Sequence, residues 1–165
     1  MIFSPPSDIF READLSFGGD GVDPVERGIQ TLRIEAAAIS GLTGRLGEEF
    51  IRAVDLIRGC KGRIVVTGMG KSGLIGQKIS ATLASIGAPS LFLHAAEGLH
   101  GDLGMVARDD LILALSYSGE TEELIRLLPT LARMGAPVIA ITGCRDSTLG
   151  REAGVVLDVR VEEEA

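Results

Sequence analysis

The sequence is poor in several residue types that often identify a function. It has no tryptophan, one tyrosine, two histidines and two cysteines among its 165 residues. Cys60 and Cys144 lie outside any CxxC or zinc-ligand spacing, so we expect buried thiols in a reducing compartment rather than a disulfide. Lysine and arginine number 16 against 23 aspartate and glutamate, a net charge of −7, and they form no basic run. General nucleic-acid binding, which depends on clustered cations, is therefore not expected.

No apolar run approaches the length of a membrane span, and the first residues, MIFSPP, lack the basic and apolar regions of a signal peptide. We therefore expect a cytoplasmic protein without a membrane partner. With 45% hydrophobic and 24% charged residues, the chain can bury a core and should form one globular domain. Its 22 glycines are about 13% of the chain, against roughly 7% in ordinary proteins, and predict many positions of close backbone approach.

Local patterns divide the chain into three parts. Residues 1–23 show no sustained periodicity and are predicted to form a loose N-terminal arm. Residues 24–59 have helical spacing with a glycine-containing break, which predicts an αα-hairpin. From residue 62 onward, short apolar strands alternate with amphipathic helices, a pattern typical of a parallel sheet covered on both faces. Residues 24–165 therefore predict one α/β domain with a doubly wound, flavodoxin-like, five-stranded parallel sheet that follows the hairpin.

The predicted strands cover residues 63–67, 90–93, 111–115, 137–141 and 155–159. The predicted helices among them cover residues 72–86, 120–134 and 147–153, and a polar loop is expected from residue 94 to residue 110. In such a sheet, ligands bind beyond the carboxyl ends of the strands, near the point where the strand order reverses. The residues of chemical interest should therefore lie in the loops that follow the strands.

The loop after the first predicted strand reads GMGKSG at residues 68–73. It matches the GxGxxG dinucleotide fingerprint, but residues 93–96 supply no acidic side chain at the expected distance. It also fails as a Walker A loop, because Val65 occupies the position of the first glycine. Glycines let the backbone approach a phosphate, and the N–H groups that open the following helix attract it. A small phosphorylated ligand is therefore the favoured interpretation.

Lys71 lies four residues before Ile75, on a helical stripe continued by Ile79, Thr82 and Ile86. We expect this stripe to face the sheet, so that Lys71 points along the covered face towards the ligand edge. There it could pair with a phosphate or assist proton transfer, and the alternative is a solvent-exposed lysine at a helix start. Because a cation opposes the dipole at that end of a helix, a functional role is favoured.

The loop after the third predicted strand reads SYSGETEE at residues 116–123. Its hydroxyls could bind a phosphate together with backbone N–H groups, or they could simply cap the helix. On that helix Glu122 points nearly opposite the leucine stripe and is expected in solvent, whereas Glu120 and Glu123 lie near or beside the stripe. Glu123 is therefore a candidate acid or base, with an ordinary first-turn glutamate as the alternative.

Both histidines of the chain, His94 and His100, fall in the loop after the second predicted strand. Such a pair suits acid–base chemistry or metal binding, although no third ligand with recognisable spacing accompanies it. The alternative is two polar loop residues that hydrogen-bond the backbone. A structural metal site is therefore not expected.

Taken together, these segments resemble the sugar isomerase (SIS) domain of the arabinose-5-phosphate isomerase family. The matching stretches are GMGKSG at residues 68–73, HGDLGMV at 100–106, SYSGE at 116–120 and ITG at 141–143, and the likeness runs from about residue 24 to residue 165. The SxSG turn is shared by SIS domains generally, whereas HGDLGM is specific to this branch. The resemblance implies the SIS fold and the interconversion of D-ribulose 5-phosphate and D-arabinose 5-phosphate through an enediol, which supplies the octulosonate sugar of lipopolysaccharide.

The resemblance also implies roles for individual residues. Lys71, Glu123 and Glu164 match positions regarded as catalytic. His100 matches a substrate contact, and Glu123, Glu164 and His100 all remain candidates for the base. His94 matches a position that can hold an inhibitory zinc ion, and no cofactor is required. Contacts to the phosphate or to the rest of the substrate are expected from Gly70, Ser72, Gly87, Ala88, His94, His100, Ser116, Ser118 and Thr121.

Family members usually continue beyond the point where this chain ends, with a Ser/Thr-rich loop, closing helices and often paired CBS modules. We therefore expect a C-terminally incomplete SIS domain, whose activity as a separate chain is open. Because SIS proteins commonly form dimers or tetramers, the resemblance also implies a homo-oligomer, for which the αα-hairpin offers apolar surface. A non-catalytic module that binds or senses a sugar phosphate is the alternative function.

Overall fold

The structure, a computed structural model, describes residues 23–163. The arm predicted for residues 1–23 lies outside the described residues except for Asp23, whose carboxylate caps the first helix by accepting a hydrogen bond from the Val25 amide at 3.1 Å. Helix α1 covers Pro24–Gly41, a 3-10 turn covers Leu42–Arg45, and helix α2 covers Glu48–Gly59. Both helices of the predicted hairpin are therefore present. Helix α2 packs against the last strand of the sheet, whereas α1 buries none of its residues.

Five strands form one parallel sheet. They are β1 Ile64–Gly68, β2 Ser90–His94, β3 Leu111–Leu115, β4 Val138–Thr142 and β5 Val155–Asp158. Their order is β2-β1-β3-β4-β5, and every neighbouring pair is parallel. The doubly wound α/β prediction is confirmed, and each predicted strand ends within one residue of the observed bounds.

Helices connect the strands and cover the sheet. They are α3 Gly70–Ser85, α4 Ala95–Leu99, α5 Glu122–Met134 and α6 Thr148–Glu152. The prediction of a polar loop from residue 94 to residue 110 is wrong in part, because this segment contains α4 and a 3-10 turn at Asp102–Met105. Tertiary packing stabilises α4, since Gly98 sits so close to α5 that a Cβ there would lie 3.1 Å from a methyl carbon of Leu127. Within residues 23–163, no helix is long and apolar enough to cross a membrane.

Alternate residues of the strands point to opposite faces of the sheet and bury two apolar clusters. On one face, Val65 and Ile112 pack with the leucines of α5 and with residues of α4 and α6. On the other face, Val66 and Leu113 pack with residues of α2 and α3. Because both faces of the sheet are covered, a ligand can reach the strands only at their ends.

Helix α3 contacts the sheet through its smallest residues. The buried positions of this helix are Gly73, Gly76 and Ser80. A Cβ at Gly76 would lie 3.0 Å from the ring of Phe92 and 3.3 Å from a methyl carbon of Val66. A larger side chain at this position would therefore hold the helix away from β1 and β2.

The opposite face of α3 carries large apolar side chains. Ile75 and Ile86 are 55% and 74% exposed, and Lys71 is exposed as well. The prediction that the stripe from Lys71 to Ile86 faces the sheet is therefore wrong except at Ile79, which is half-buried and packs against the cluster on that face. Close approach to the strands selects the face with the smallest residues, and the hydrophobic spacing alone does not reveal that choice.

A buried carboxylate lies at the amino edge of the sheet. Asp110, just before β3, is 2% exposed and accepts hydrogen bonds from the Arg63 amide at 2.7 Å, the Ala107 amide at 2.9 Å and the Arg63 guanidinium at 3.1 Å. Burial acts to raise the pKa of Asp110, but these hydrogen bonds and the positive charge of Arg63 outweigh it and hold the pKa below the usual 3.8. In its ionised form, Asp110 thus links the residue before β1, Arg63, to the segment that precedes β3.

The two cysteines are free thiols in different surroundings. Cys60 is half-buried, and its Sγ atom lies 3.7 Å from the carbonyl oxygen of Arg63. Cys144 is exposed, so the expectation of buried thiols is wrong for this residue. It follows β4 in a connection whose backbone runs over the surface.

Candidate functional site

The strand order reverses between β1 and β3, which are neighbours in the sheet although β2 lies between them in the chain. Gly68 pairs in register with both His94 and Leu115, so β1, β2 and β3 end together at the carboxyl edge. In a sheet of this order, ligands bind at the reversal point. The candidate site therefore consists of two adjacent turns, the glycine turn at residues 68–73 and the serine turn at residues 116–121.

The glycine turn brings the backbones of β1, β3 and α3 close together. A Cβ at Gly68 would lie 3.1 Å from the Leu115 carbonyl oxygen and 3.2 Å from the backbone of Ser72, and Gly70 adopts a φ of +52°. Met69 precedes α3 and makes no side-chain cap. The first N–H groups of α3 and the positive end of its dipole can therefore receive an anion at this edge.

The serine turn is closed by its own hydroxyls. The buried Ser116 hydroxyl oxygen accepts a hydrogen bond from the Gly119 amide at 3.1 Å and lies 2.8 Å from the hydroxyl oxygen of Thr121. The exposed Ser118 hydroxyl oxygen accepts a hydrogen bond from the Glu120 amide at 3.2 Å. Thr121 precedes α5 without capping it through its side chain. The hydroxyls thus organise the turn, and a second helix N-terminus without a side-chain cap lies at the same carboxyl edge of the sheet as the first.

Gly119 fixes the serine turn against the connection between β4 and α6. Its φ is +66°, and a Cβ at this position would overlap the side chain of Ser147. The Gly119 carbonyl oxygen accepts a hydrogen bond from the Leu149 amide at 3.1 Å, while Ser147 caps α6 by accepting one from the Gly150 amide at 3.1 Å. The shape of the serine turn therefore depends on α6.

Tyr117, in the middle of the serine turn, reaches across the end of β4. Its carbonyl oxygen accepts hydrogen bonds from the Gly143 amide at 2.8 Å and the Thr142 hydroxyl at 3.1 Å. Its hydroxyl oxygen accepts a hydrogen bond from the Val161 amide at 3.1 Å. Sequence reasoning missed this contact, because no local pattern joins residues 44 positions apart.

Glu120 lies before α5 and turns towards α6. Its carboxylate accepts a hydrogen bond from the Thr148 amide at 2.7 Å, which together with the nearby charge of Arg151 holds the pKa of Glu120 below its usual 4.5. The prediction that Glu120 begins the helix near the buried stripe is therefore wrong, since α5 starts two residues later.

The next two glutamates occupy the first turn of α5 with different exposure. The side chain of Glu122 is 83% exposed, as the sequence predicts. Its carboxylate lies 3.9 Å from the guanidinium of Arg126, one turn along the helix. Glu123 is half-buried, which agrees with its predicted place beside the leucine stripe. Of the two, Glu123 is the better placed to meet a substrate that is partly shielded from water.

Lys71 and Ser72 are brought to the same edge as the serine turn. They are the second and third residues of α3, and Ser72 is half-buried. Lys71 points to solvent rather than along the covered face, for the packing reason given above. An exposed lysine in the first turn of α3 can still reach an anion bound at that helix end.

The two histidines are separated by α4. His94 ends β2, and its Nδ1 atom is buried without a hydrogen-bond partner. The rings of Phe92 and His94 are in edge-to-face contact, with 6.4 Å between their centroids. His100 follows α4 and is exposed. Within the described part of the chain, no group of three His, Cys, Asp or Glu side chains could hold a metal ion. Zinc binding at His94 therefore stays a prediction.

Gly87 and Ala88 are not brought to the candidate site. They lie between the end of α3 and the start of β2, at the amino edge of the sheet, because α3 carries the chain from one edge to the other. Gly87, with a φ of +88°, ends the helix by donating its amide to the Ala84 carbonyl at 3.1 Å. Their position thus separates them from the two turns of the candidate site, and their predicted substrate contact stays a prediction. Glu164 lies outside the described residues.

Comparison with known proteins gives a consistent family. Residues 56–165 match the model of the SIS domain. The arabinose 5-phosphate isomerase KdsD of Pseudomonas aeruginosa is 47% identical over 87% of this chain, and the arabinose 5-phosphate isomerase GutQ of Escherichia coli is 50% identical over 84%. The chain covers only 44% and 43% of those two proteins, about two fifths of their length.

Among solved structures, the protein c3406 of Escherichia coli CFT073, in complex with A5P, superposes with a TM-score of 0.81 and 36% identity. That superposition covers 85% of this chain and 74% of the solved chain. The five-stranded order, the two turns at its reversal point and these similarities agree. The chain therefore belongs to the SIS domain family.

Proposed function

We propose that this chain contains the catalytic domain of an arabinose 5-phosphate isomerase, which interconverts D-arabinose 5-phosphate and D-ribulose 5-phosphate. The observation that supports this function best is that two helix N-termini without side-chain caps, those of α3 and α5, follow the neighbouring strands β1 and β3 at the reversal point of the sheet. Four hydroxyls stand beside them, those of Ser72, Ser116, Ser118 and Thr121. Dipoles and hydroxyls can hold a phosphate in a chain whose net charge is −7.

The substrate is suggested by the relatives. The curated proteins that resemble this chain are named arabinose 5-phosphate isomerases, and the similar solved structure is a complex with A5P. The same fold binds many ligands, so fold alone would not select this sugar. Sequence identity near one half therefore supports this substrate, while the geometry of the chain supports a phosphate site.

The proposed reaction moves one proton between neighbouring carbons. A base removes the proton from C2 of the aldose while a donor protonates the carbonyl oxygen at C1, which gives the enediol. The enediol is then protonated at C1 while the hydroxyl group on C2 gives up its proton, and the C2 carbonyl of the ketose forms. The sugar neither gains nor loses electrons overall. The reaction as written thus requires no redox cofactor.

With the phosphate held by the serine turn and the start of α3, the carbonyl end of the sugar is left for acid–base chemistry. Glu123 is half-buried two residues after Thr121, in the first turn of α5, and this position supports it as the base. The ammonium of Lys71 would stabilise the negative charge that develops on the enediol oxygens. His100 and Glu164 remain the other candidates for the base.

Turnover is tested by incubating the purified chain with D-ribulose 5-phosphate and following both sugars by NMR. Glu123→Gln should lower kcat by about a hundredfold or more, the usual contribution of a general base. Glu122→Gln is the matched control, because Glu122 stands one residue away with an 83% exposed side chain and should leave kcat unchanged. Equal rates for Glu123→Gln and the parent chain would remove Glu123 from the mechanism.

Binding without turnover would support the second candidate, a non-catalytic sugar-phosphate module. Ligand that binds the folded state alone raises stability by about 2.7 kcal/mol at a hundred times its Kd, which a thermal shift detects. Stabilisation by D-arabinose 5-phosphate in the absence of turnover would favour the module. Neither stabilisation nor turnover would contradict both functions for this chain.

The resemblance supports two further parts of the proposal. The arabinose 5-phosphate formed would supply the octulosonate sugar of lipopolysaccharide, and the protein would act in the cytoplasm. Both are tested in cells that depend on this chain for the isomerase, by measuring octulosonate in the outer-membrane fraction and by fractionation. Normal octulosonate after deletion of the gene would contradict the assignment.

We also propose that the protein is a homo-oligomer that pairs through α1. Apolar residues of this helix recur at alternating steps of four and three residues, the spacing typical of the seam between two paired helices. The seam consists of Val25, Ile29, Leu32, Ala36 and Ile39. The described part of the chain covers none of them, and Leu32 and Ile39 are 65% and 69% exposed. Glu26 and Arg33 flank one side of the seam, so two antiparallel copies of α1 would bring opposite charges together.

Light scattering tests the pairing. Leu32→Asp would place a charge in the seam and should give a monomer, whereas Gln30→Asp, on the polar side of the same turn, should leave the oligomer intact. A truncated chain that begins at residue 23 should also remain oligomeric. An oligomer that survives Leu32→Asp, or one that is lost on truncation, would contradict pairing through α1.

A further inference from the structure

The chain leaves β5 and crosses the carboxyl edge of the sheet as residues 159–163, here called the C-terminal segment. Three hydrogen bonds from other parts of the domain hold it. The Val159 amide donates to the Thr142 carbonyl at 2.9 Å, the Arg45 guanidinium donates to the Arg160 carbonyl at 2.5 Å, and the Val161 amide donates to the Tyr117 hydroxyl at 3.1 Å.

Only the third of these contacts comes from the candidate site. Tyr117 stands between Ser116 and Ser118, two of the serines proposed to bind phosphate. The other two hydrogen bonds come from Thr142, at the end of β4, and from Arg45, in the turn before α2. The Tyr117 hydroxyl is therefore the direct link between the serine turn and the C-terminal segment among these three hydrogen bonds.

The residue that carries this hydroxyl is 45% exposed, but its ring packs on one side against the end of β4. It lies against the backbone of Gly143, where a Cβ would come within 2.6 Å of the ring. The Tyr117 carbonyl is held at the same time by the Gly143 amide at 2.8 Å and the Thr142 hydroxyl at 3.1 Å. A displacement of the serine turn would therefore carry the hydroxyl with it and break the bond to Val161.

We infer that Tyr117 is a positioning residue that docks the C-terminal segment on the serine turn. A phosphate that orders the serine turn and a docked C-terminal segment must then stabilise one another, because coupling between two sites is reciprocal. Tyr117 itself does not touch the reacting atoms in this scheme. Its hydroxyl limits where the chain beyond Val161 can run.

This limit has a consequence for catalysis that rests on the proposed function. Glu164, one candidate base, follows Val161 by three residues, so the chain can carry it at most about 10 Å from the docked amide. The docked amide thus limits how far along the chain Glu164 can lie from the serine turn. Loss of docking should therefore lower kcat and, through the reciprocal coupling, also weaken binding of the sugar phosphate.

Tyr117→Phe tests the inference, because phenylalanine keeps the ring against Gly143 and removes only the hydroxyl. Residue-resolved hydrogen exchange of the full chain should show faster exchange at the Val161 amide, by about fivefold for the loss of one ordinary hydrogen bond. The Val159 amide, which is bonded to Thr142 instead, is the internal control and should keep its rate. Unfolding followed by circular dichroism shows whether the variant folds like the parent chain.

Ligand provides the second arm of the test. In the parent chain, saturating D-arabinose 5-phosphate should slow exchange at Val161, and in Tyr117→Phe this slowing should be lost. Equal Val161 exchange in parent and variant would overturn the docking. Binding of the sugar phosphate without any slowing at Val161 would overturn the coupling.

Kinetics separate this inference from the proposed function. Tyr117→Phe should lower kcat several-fold and raise the Kd of the sugar phosphate, because the coupling is lost, whereas an unchanged kcat with a raised Kd would count against a positioning role. A parent chain that neither binds nor converts the sugar phosphate would defeat the proposed function. The exchange difference at Val161 without ligand would still decide whether Tyr117 docks the segment.

Discussion

Gly119→Ala should distort the serine turn and destabilise the domain by about 3–6 kcal/mol. Alanine at a φ of +66° costs roughly 1–2 kcal/mol. Its Cβ would also overlap Ser147, whose hydroxyl oxygen accepts from the Gly150 amide at 3.1 Å and donates to the Cys144 carbonyl at 2.6 Å. Displacing Ser147 loses a helix cap, about 1 kcal/mol, and overpacking adds roughly 1–3 kcal/mol.

Gly135→Ala separates these contributions. Gly135 ends α5 with a φ of +75°, and a Cβ there would meet no atom within 4 Å. Its replacement should therefore cost only the backbone strain, about 1–2 kcal/mol. Urea unfolding of the two variants, followed by circular dichroism, gives both free energies, and their difference measures the clash with Ser147.

A Gly119→Ala variant no less stable than Gly135→Ala would refute the reasoning. The double variant with Ser147→Gly offers a second check, because glycine removes the overlapping atoms and costs only a few tenths of a kcal/mol as a helix cap. The effects of the two substitutions on stability should therefore be strongly non-additive, and the double variant should regain most of the stability that the clash costs. The single variant should also lose its thermal stabilisation by D-arabinose 5-phosphate.

Three further outcomes are expected. Because the pKa of Asp110 is held below 3.8, its ionised form stabilises the fold at neutral pH, and this contribution should disappear as the pH falls below about 4. Asp110→Asn should lower the free energy of unfolding at pH 7 by about 2–3 kcal/mol. Urea titrations at pH 7 and pH 3 should then show a smaller loss of stability in acid than in the parent chain. An equal loss in the variant and the parent chain would contradict this role of Asp110. Gly76→Ala should destabilise the domain by about 1–2 kcal/mol in the same titrations, because the contact with the Phe92 ring at 3.0 Å outweighs the higher helix propensity of alanine, and a gain in stability would show that the helix can shift. Ser118→Ala should weaken phosphate binding about fivefold in calorimetric titration and leave the stability of the fold unchanged, since the residue is exposed. Ser116→Ala should weaken phosphate binding and also lower the stability of the fold, because its buried hydroxyl bonds within the turn. A loss of stability in Ser118→Ala alone would exchange the two roles.

The strands and their connections could be predicted because apolar runs and glycine-rich breaks are local signals. All five strands follow from runs such as residues 111–115, and the two turns of the candidate site follow from their placement after β1 and β3. The reversal of strand order then brings those turns together without further information. The sequence therefore predicts the two turns of the candidate site and their proximity.

Packing decided what the sequence pattern could not. Helix α3 is apolar on more than one side, so spacing favoured the stripe through Ile75, whereas contact with Phe92 requires the face of Gly76. Helix α4 contains a glycine that helical propensity disfavours, and contact with α5 compensates for it. The link from Tyr117 to Val161 joins distant segments and leaves no trace in local composition.

The buried ion pair and the candidate site occupy opposite ends of the same strand. Asp110 precedes β3 and Ser116 follows it, so six residues of extended chain, about 20 Å, separate them. That distance is more than twice the screening length of roughly 8 Å at physiological ionic strength, and Arg63 already neutralises the carboxylate. Protonation of Asp110 should therefore weaken the fold without altering the titration of groups at the serine turn. Acid tolerance and the pH profile of any activity can then be engineered independently, one at each end of the sheet.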